Sequence, residues 1–170
     1  NTTTGDIEFV EADGFTVTEV CGVEGIRTGS GSVTLTVTNG PLSVENNIEA
    51  TGHIELSANS VSVSSGANVL TTAEGISITA DSVDLAGTLS ASGQTVVLKQ
   101  KTPGQEISLG GAAGAGGPTF SGLSNITAGR LEIGDENAGA ITVVSDIDPR
   151  SLSGITTFCL RTGSTVTATA

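Results

Sequence analysis

Carboxylates supply most of the side chains in this sequence that could do chemistry. Asp6, Glu8, Glu11 and Asp13 crowd the start, Asp135 and Glu136 stand together, and Asp146 and Asp148 flank Ile147. Clustered oxygen donors are the ligands Ca²⁺ takes, so the first four acids are the candidate metal ligands and Ca²⁺ the one candidate cofactor. Neither an EF-hand loop nor the glycine-aspartate nonapeptide of calcium-binding β-rolls occurs. Cleaving a polysaccharide would need facing carboxylates with cations on the same side. The basic residues Arg27, Lys99, Lys101, Arg130, Arg150 and Arg161 are too scattered for that. The only histidine, His53, has no Cys or His near it in sequence and reads as a solvent-facing strand residue. The expectation is a protein with no catalytic residues, not an enzyme.

Bulk composition narrows the partners. Eighteen acidic against six basic residues give a formal net charge of −12. Nucleic acid and anionic membrane surfaces both demand a cationic footprint and are disfavoured as partners. With four Phe and no Trp, Tyr or Met, stacking on bases or on aromatic sugar platforms has little to use. No apolar run reaches the length of a membrane-spanning helix. The opening NTTTGDIEF lacks the basic and apolar regions of a signal peptide. Ser, Thr, Gly, Val and Ile dominate, which suits β-branched strands joined by tight turns.

The elements that must position these residues are legible as a repeat. Apolar pairs at i, i+2 recur about every twenty residues and fall into columns. The first column runs Ile7/Phe9, Val33/Leu35, Ile54/Leu56, Ile76/Ile78, Val96/Leu98, Leu131/Ile133 and Phe158/Leu160. A second runs Phe15/Val17, Leu42/Val44, Val61/Val63, Val83/Leu85, Ile107/Leu109, Ile141/Val143 and Val166. The third, of single residues, runs Ile26, Ile48, Val69, Leu89, Leu123 and Leu152. Period-two alternation within a longer repeat predicts stacked strands. The fold class expected is therefore all-β: a single-stranded parallel β-helix (β-solenoid), three strands per rung and about six to seven rungs, over residues 1–170 as one domain or repeat unit. At a strand spacing of about 4.8 Å such a rod is roughly 30 Å tall. A sandwich would show more hairpin signals, and Asn39-Gly40 is the one strong hairpin dipeptide.

Two stretches interrupt the columns. The glycine-rich segment at about 110–119 reads as a loop leaving the rod between its second and third sides, and a turn insertion falls at about 145–153 around Asp146-Ile147-Asp148-Pro149-Arg150. Loops on a solenoid carry specificity, so glycans or cell-surface receptors are the partners expected if binding resides there. Thr-x-Thr motifs at Thr16/Thr18, Thr34/Thr36/Thr38 and Thr165/Thr167/Thr169 are interrupted in the middle of the chain by Ser, Glu and Asp, which weakens an ice-binding reading.

At both ends the columns read as uncapped, with Ile7, Phe9, Phe15 and Val17 in one terminal layer and Phe158, Leu160 and Val166 in the other. An unpaired layer invites further strand pairing. In a copy following Ala170, Ile7 would lie 19 positions beyond Phe158, close to the internal spacing of 20 to 22 between Val33 and Val96. The expected partner is another copy of the chain, head to tail, either as a tandem repeat of one long polypeptide or as a separate subunit of a fibre, with these seven residues as the interface. Cys21 and Cys159 lie about 29 Å apart along such a rod, too far for an internal disulfide. They are candidates for an intermolecular disulfide between neighbouring subunits.

The phrases DIEFVEADGFTVTEV, GHIELSA, GISITADSVDLAG and AGRLEIGDENAGAITVVSDIDP resemble the repeats of large bacterial β-strand-repeat proteins, akin to filamentous haemagglutinin-type adhesins of two-partner secretion. That resemblance implies a right-handed β-helix at the bacterial cell surface or in the extracellular space, serving as stalk, adhesin or fibre.

Overall fold

In the strand Val33–Val37, the residues Val33, Leu35 and Val37 are at most 1 % exposed, while Thr34 and Thr36 between them are half-buried. Extended backbone sends successive side chains to opposite faces, so one face of each strand is aliphatic and the other polar. Ile54/Leu56, Ile76/Ile78 and Val96/Leu98 repeat the pattern, all 0 % exposed. The computed structural model describes residues 1–110, 119–144, 147, 152 and 154–169. Among them there is no α-helix, and parallel strands in three runs of pairing surround one aliphatic core. No helix among the described residues is long and apolar enough to cross a membrane.

The first run of pairing follows the predicted column residue for residue. Ile7 pairs with Val33, Val33 with Ile54, Ile54 with Ile76, Ile76 with Val96, Val96 with Leu131 and Leu131 with Phe158. Each step stacks like residues on like. Six parallel ladders thus bury the apolar face of one strand set without a register shift, and this fixes the faces of all the others.

The second run departs from expectation at one place. Its order is Phe15–Val17, Pro41–Val44, Ser60–Val63, Ser82–Leu85, Thr119–Ser121, Ile107–Leu109, Ile141–Val143 and Val166–Ala168. Thr119–Ser121 sits between two strands that both precede it in sequence, with Phe120 level with Val83 on one side and Leu109 on the other. The glycine-rich segment therefore joins two strands of the same run and does not lead from a second side to a third. Its residues 111–118 lie outside those described.

Polar contacts make room for the inserted strand. The Asp81 carboxylate accepts hydrogen bonds from Lys101 N (2.9 Å), Thr102 N (2.7 Å) and the Thr102 hydroxyl (2.7 Å). The Lys101 ammonium reaches back to Val37 O, Thr38 O and Asn59 Oδ1 at 3.1, 2.6 and 2.8 Å. Beyond this clip, Gly104 N donates to Asn137 O and Gly139 N to Gln105 O. The chain has by then climbed to the next level, so Ile107–Leu109 pairs upward with Ile141–Val143 and leaves a space below.

The third run is Ile26, Ile48, Val69, Leu89 and Ile126. Ile126 takes the place expected of Leu123, which lies in a 3₁₀ turn over Leu123–Asn125 and still points into the core at 6 % exposure. Gly122 before it has φ 72°, and a Cβ there would fall 2.1 Å from Leu85 O. Only glycine fits so close an approach in that conformation. Asn125 Nδ2 donates to Leu85 O across the same gap. Leu152 is buried at 5 % exposure, with no strand described around it.

One pair is antiparallel, against expectation. Glu19–Val20 and Val23–Glu24 form a hairpin around Cys21-Gly22, whose φ values of 53° and 79° suit a two-residue type I′ turn. The strong hairpin dipeptide Asn39-Gly40 turns a corner instead, with Asn39 N bonded to Ala12 O and Gly40 O accepting from Asn59 N. Stacked corners on either side supply the hydrogen bonds that a hairpin would otherwise have made.

Candidate functional site

The paired runs end on edges. Ile7–Glu11 pairs only with Val33–Val37, and Phe15–Val17 only with Pro41–Val44. At the other end Thr157–Leu160 pairs only with Ile126–Ile133, and Val166–Ala168 only with Ile141–Val143. Among the described residues, each of these four strands keeps one row of backbone N–H and C=O groups without a neighbouring strand. That is the feature that templates further pairing.

The apolar residues of these strands are correspondingly open. Inner members of the columns are almost fully buried, whereas Phe9 is 39 % and Val166 51 % exposed, and Ile7, Phe15, Phe158 and Leu160 are half-buried. Val17 is the exception at 2 %. The Phe9 and Phe15 rings meet at a centroid distance of 4.5 Å and a tilt of 31°, laying one aromatic surface across the first layer. All seven residues expected to form the interface thus lie on the four edge strands.

The expectation of wholly uncapped ends needs one correction. Thr2 pairs with Thr28 in the parallel sense, through Thr2 N to Arg27 O at 3.0 Å and Gly29 N to Thr2 O at 3.1 Å. Asn1 Oδ1 accepts from Arg27 N at 2.6 Å. The chain's own start therefore covers the outer strand of the third run, Ile26–Arg27, and the open layer comprises the first two runs. Beside it an open polar groove of about 420 Å³ is lined by Asn1, Glu24, Arg27, Asn46, Asn47 and Glu49.

Among the described residues the structure does not gather the acids into a metal site. Asp6 Oδ1 accepts from Ser32 N at 2.8 Å and Glu11 Oε1 from Ala12 N at 2.9 Å. Glu8 points outward, level with Thr34, whereas Glu11 has the inward parity and is level with buried Val37. Among the described residues no group of three or more His, Cys, Asp or Glu side chains is placed to hold a metal ion. Asp135 accepts from Gln100 Nε2 at 2.7 Å and from Asn137 N at 2.8 Å. Asp146, Asp148 and the rest of the 145–153 turn, apart from Ile147 and Leu152, lie outside the described residues. His53 is half-buried, and its backbone N–H reaches the Ser32 hydroxyl at 3.2 Å.

Both cysteines are free. Cys21 is exposed at the hairpin tip between the exposed Val20 and Val23. Cys159 is half-buried in the last strand of the first run, level with Glu132.

An ion-pair network that sequence reasoning missed lies next to Cys159. Glu132 Oε1 meets Arg161 Nη1 at 2.9 Å, Glu132 Oε2 meets Arg130 Nη2 at 3.1 Å, and Arg161 Nη2 meets Glu136 Oε2 at 3.3 Å. The register that brings Glu132 level with Cys159 was the available signal, since Arg161 then lies two positions along on the neighbouring strand. Hydrogen bonding from Arg161 holds the Glu132 carboxyl below its ordinary value of 4.5, against the upward push of burial, and Arg130 adds to the lowering. A carboxyl whose pKa is lower folded than unfolded contributes stability that is fully present above its ordinary pKa and is lost as pH falls through the lower, folded value. The melting temperature of the wild type should therefore exceed that of Arg161→Gln at pH 7, and the gap should close on titration to about pH 2. An equal gap at both pH values would remove the linkage.

Comparison with known proteins gives no matching family model, no matching curated protein and no matching solved structure.

Proposed function

We propose that this chain is a structural or adhesive subunit of an extracellular bacterial fibre: a right-handed β-helix, three strands per rung, that stacks head to tail on copies of itself. The observation that carries the reading is the pair of open layers. The first column stays in register from Ile7 to Phe158, and among the described residues the outermost strands of the first two runs bear half-exposed Ile, Phe, Leu and Val. Burying such a layer removes apolar surface from water and pairs backbone groups in one step. A heterologous contact of this kind does not close on itself, so it propagates.

The right hand is the one favoured by the crossover preference of parallel strands. The resemblance of its repeat phrases to those of filamentous haemagglutinin-type proteins supports the surface location and the role as stalk or adhesin. Net charge of −12 opposes association of copies, and salt screens that repulsion.

The purified 170-residue chain tests the reading. Sedimentation over a concentration series, at about 0.05 and about 0.5 M salt, should show growing end-to-end species that increase with salt. Negative-stain images should show rods with an axial repeat of about 34 Å, one strand spacing for each level of the first column. A monomer that stays dispersed at every concentration and both salt levels would sink the proposal.

A further inference from the structure

The head-to-tail reading leaves open which residues meet. We infer that the joint continues the first two columns in a single register: Phe158 of one copy beneath Ile7 of the next, Leu160 beneath Phe9, Val166 beneath Phe15 and Ala168 beneath Val17, with Cys159 facing Glu8. This rests on the stacking proposed above and specifies it.

Corner length agrees with this register. In the first layer the leading inward residues of the two edge strands, Ile7 and Phe15, are eight positions apart, and in the last layer Phe158 and Val166 are also eight apart. Inside the chain the corresponding separations vary: Val33 to Leu42 is nine, Val61 follows Ile54 by seven, and Ile141 follows Leu131 by ten. Matched arcs let both strands pair at once without a bulge at the corner. A shift of either strand by an odd number of residues would turn its apolar face outward.

Side-chain character agrees position by position. At the inward positions of the first column, Ile7 and Phe9 meet Phe158 and Leu160, all apolar. The next inward residue of the first strand is Glu11, and the residue level with it is Thr162, so polar meets polar at the corner. In the second column the Phe9–Phe15 aromatic surface meets the smaller Val166 and Ala168, which leaves the rings room. Outward, Thr16 continues the hydroxyl row of Thr142 and Thr167.

Charge is complementary on the outward face. Arg161 reaches Glu132, a residue level with Cys159 on the preceding strand, at 2.9 Å. In the joint Glu8 is also level with Cys159, on the following strand, and so stands in the same diagonal relation to Arg161. The guanidinium then lies between two carboxylates, one from each copy. Its fork geometry carries enough donors for both.

Cysteine trapping tests the register. Residues level with one another on neighbouring strands have Cα atoms about 4.8 Å apart, within the range a disulfide accepts. Glu8→Cys in a Cys21→Ala background should, in assembled samples treated with diamide, give a ladder of dimers, trimers and larger species on a non-reducing gel. The two thiols lose two electrons and two protons to diamide, which becomes the corresponding hydrazine. Adding Cys159→Ala should abolish the ladder. Val10→Cys, level with Arg161 in this register, should cross-link roughly fivefold less. Filaments without a ladder, or equal trapping from Val10→Cys, would overturn the register while leaving head-to-tail stacking intact. Absence of filaments from the unmutated chain would overturn the stacking itself, and the register with it.

Discussion

Phe158→Asp should reduce end-to-end assembly by at least about a hundredfold in association constant while the chain stays folded. Phe158 is half-buried and level with Leu131 on one side only. Stacking would enclose it from the other side as well. An aspartate there would be carried into an aliphatic joint beside Ile7, with no cation placed to meet it inside the column. Burial of an unpaired carboxylate costs several kcal/mol, and the apolar contact of the ring is lost in addition. In the unassembled chain the same carboxylate turns to solvent across the open edge, so the fold tolerates it. An inward-pointing charge on an edge strand is one of the devices by which natural sheets prevent edge-to-edge pairing. Sedimentation and negative-stain imaging read the assembly, and circular dichroism with a thermal melt reads the fold. Val20→Asp, on the exposed hairpin outside the joint, is the matched control and should leave assembly unchanged. Equal filament formation by Phe158→Asp and the control would remove the terminal layer from the mechanism.

Why these end residues could be recognised before any coordinates, when other features could not, follows from what an i, i+2 pattern encodes. Two apolar residues with a polar one between them fix a strand, its inward face and its column, and the first column accordingly matches from Ile7 to Phe158. Phe120 escapes such a count because it is a single apolar residue between Thr119 and Ser121. Ile126 was displaced by Leu123 for a related reason: both are apolar, and only the 3₁₀ turn entered through Gly122 decides between them. Corners depend on contacts distant in sequence, such as Lys101 bonded to Val37 and Asn59, which no local pattern contains. The hairpin at Cys21-Gly22 needed a non-glycine residue at φ 53°, an uncommon conformation that residue type alone does not announce.

For the candidate site the limits are similar. Membership of the four edge strands was legible because the first and last members of a column have a column neighbour on one side alone. Parity could also have shown that Glu8 and Glu11 face opposite ways and do not share an ion. The cover that Thr2 places over Thr28 was not legible, since Thr2 belongs to no apolar pair. What the terminal residues pair with, and in which register, became arguable once the edge strands and the contact of Arg161 with Glu132 were in place.

The inserted strand predicts the largest loss of stability in the molecule. Phe120→Ala should cost about 3–5 kcal/mol, a large share of the roughly 5–15 kcal/mol by which domains are stable. Phe120 is 0 % exposed, and it is the one inward apolar side chain on a strand of three residues held between Ser82–Leu85 and Ile107–Leu109. A void left by its ring would be flanked by Val83 and Leu109, which are fixed in their own ladders and cannot close on it. The rest of the strand's attachment is polar and includes its parallel backbone pairing on both sides, the Ser121 hydroxyl to Asp84 Oδ1 at 2.7 Å and, beyond the strand, Asn125 Nδ2 to Leu85 O at 2.8 Å. Hydrogen bonds each contribute about 1 kcal/mol net, about what ordering one residue's backbone costs, so burial of the ring supplies the surplus that anchors the strand. Urea denaturation of Phe120→Ala, with Phe120→Leu as a volume-sparing comparison expected to lose about 1.5 kcal/mol or less, measures the cost. Hydrogen exchange locates it, since amides from Thr119 to Ile126 should lose protection before those of the first column. If Phe120→Ala stays within about 1 kcal/mol of the wild type, the inserted strand is not anchored by its ring. Uniform loss of protection along the chain would instead mean that the solenoid unfolds as one unit, so that a defect at one level is felt at both terminal layers. The assembly joint would then be sensitive to Phe120 despite lying two strands or more away from it.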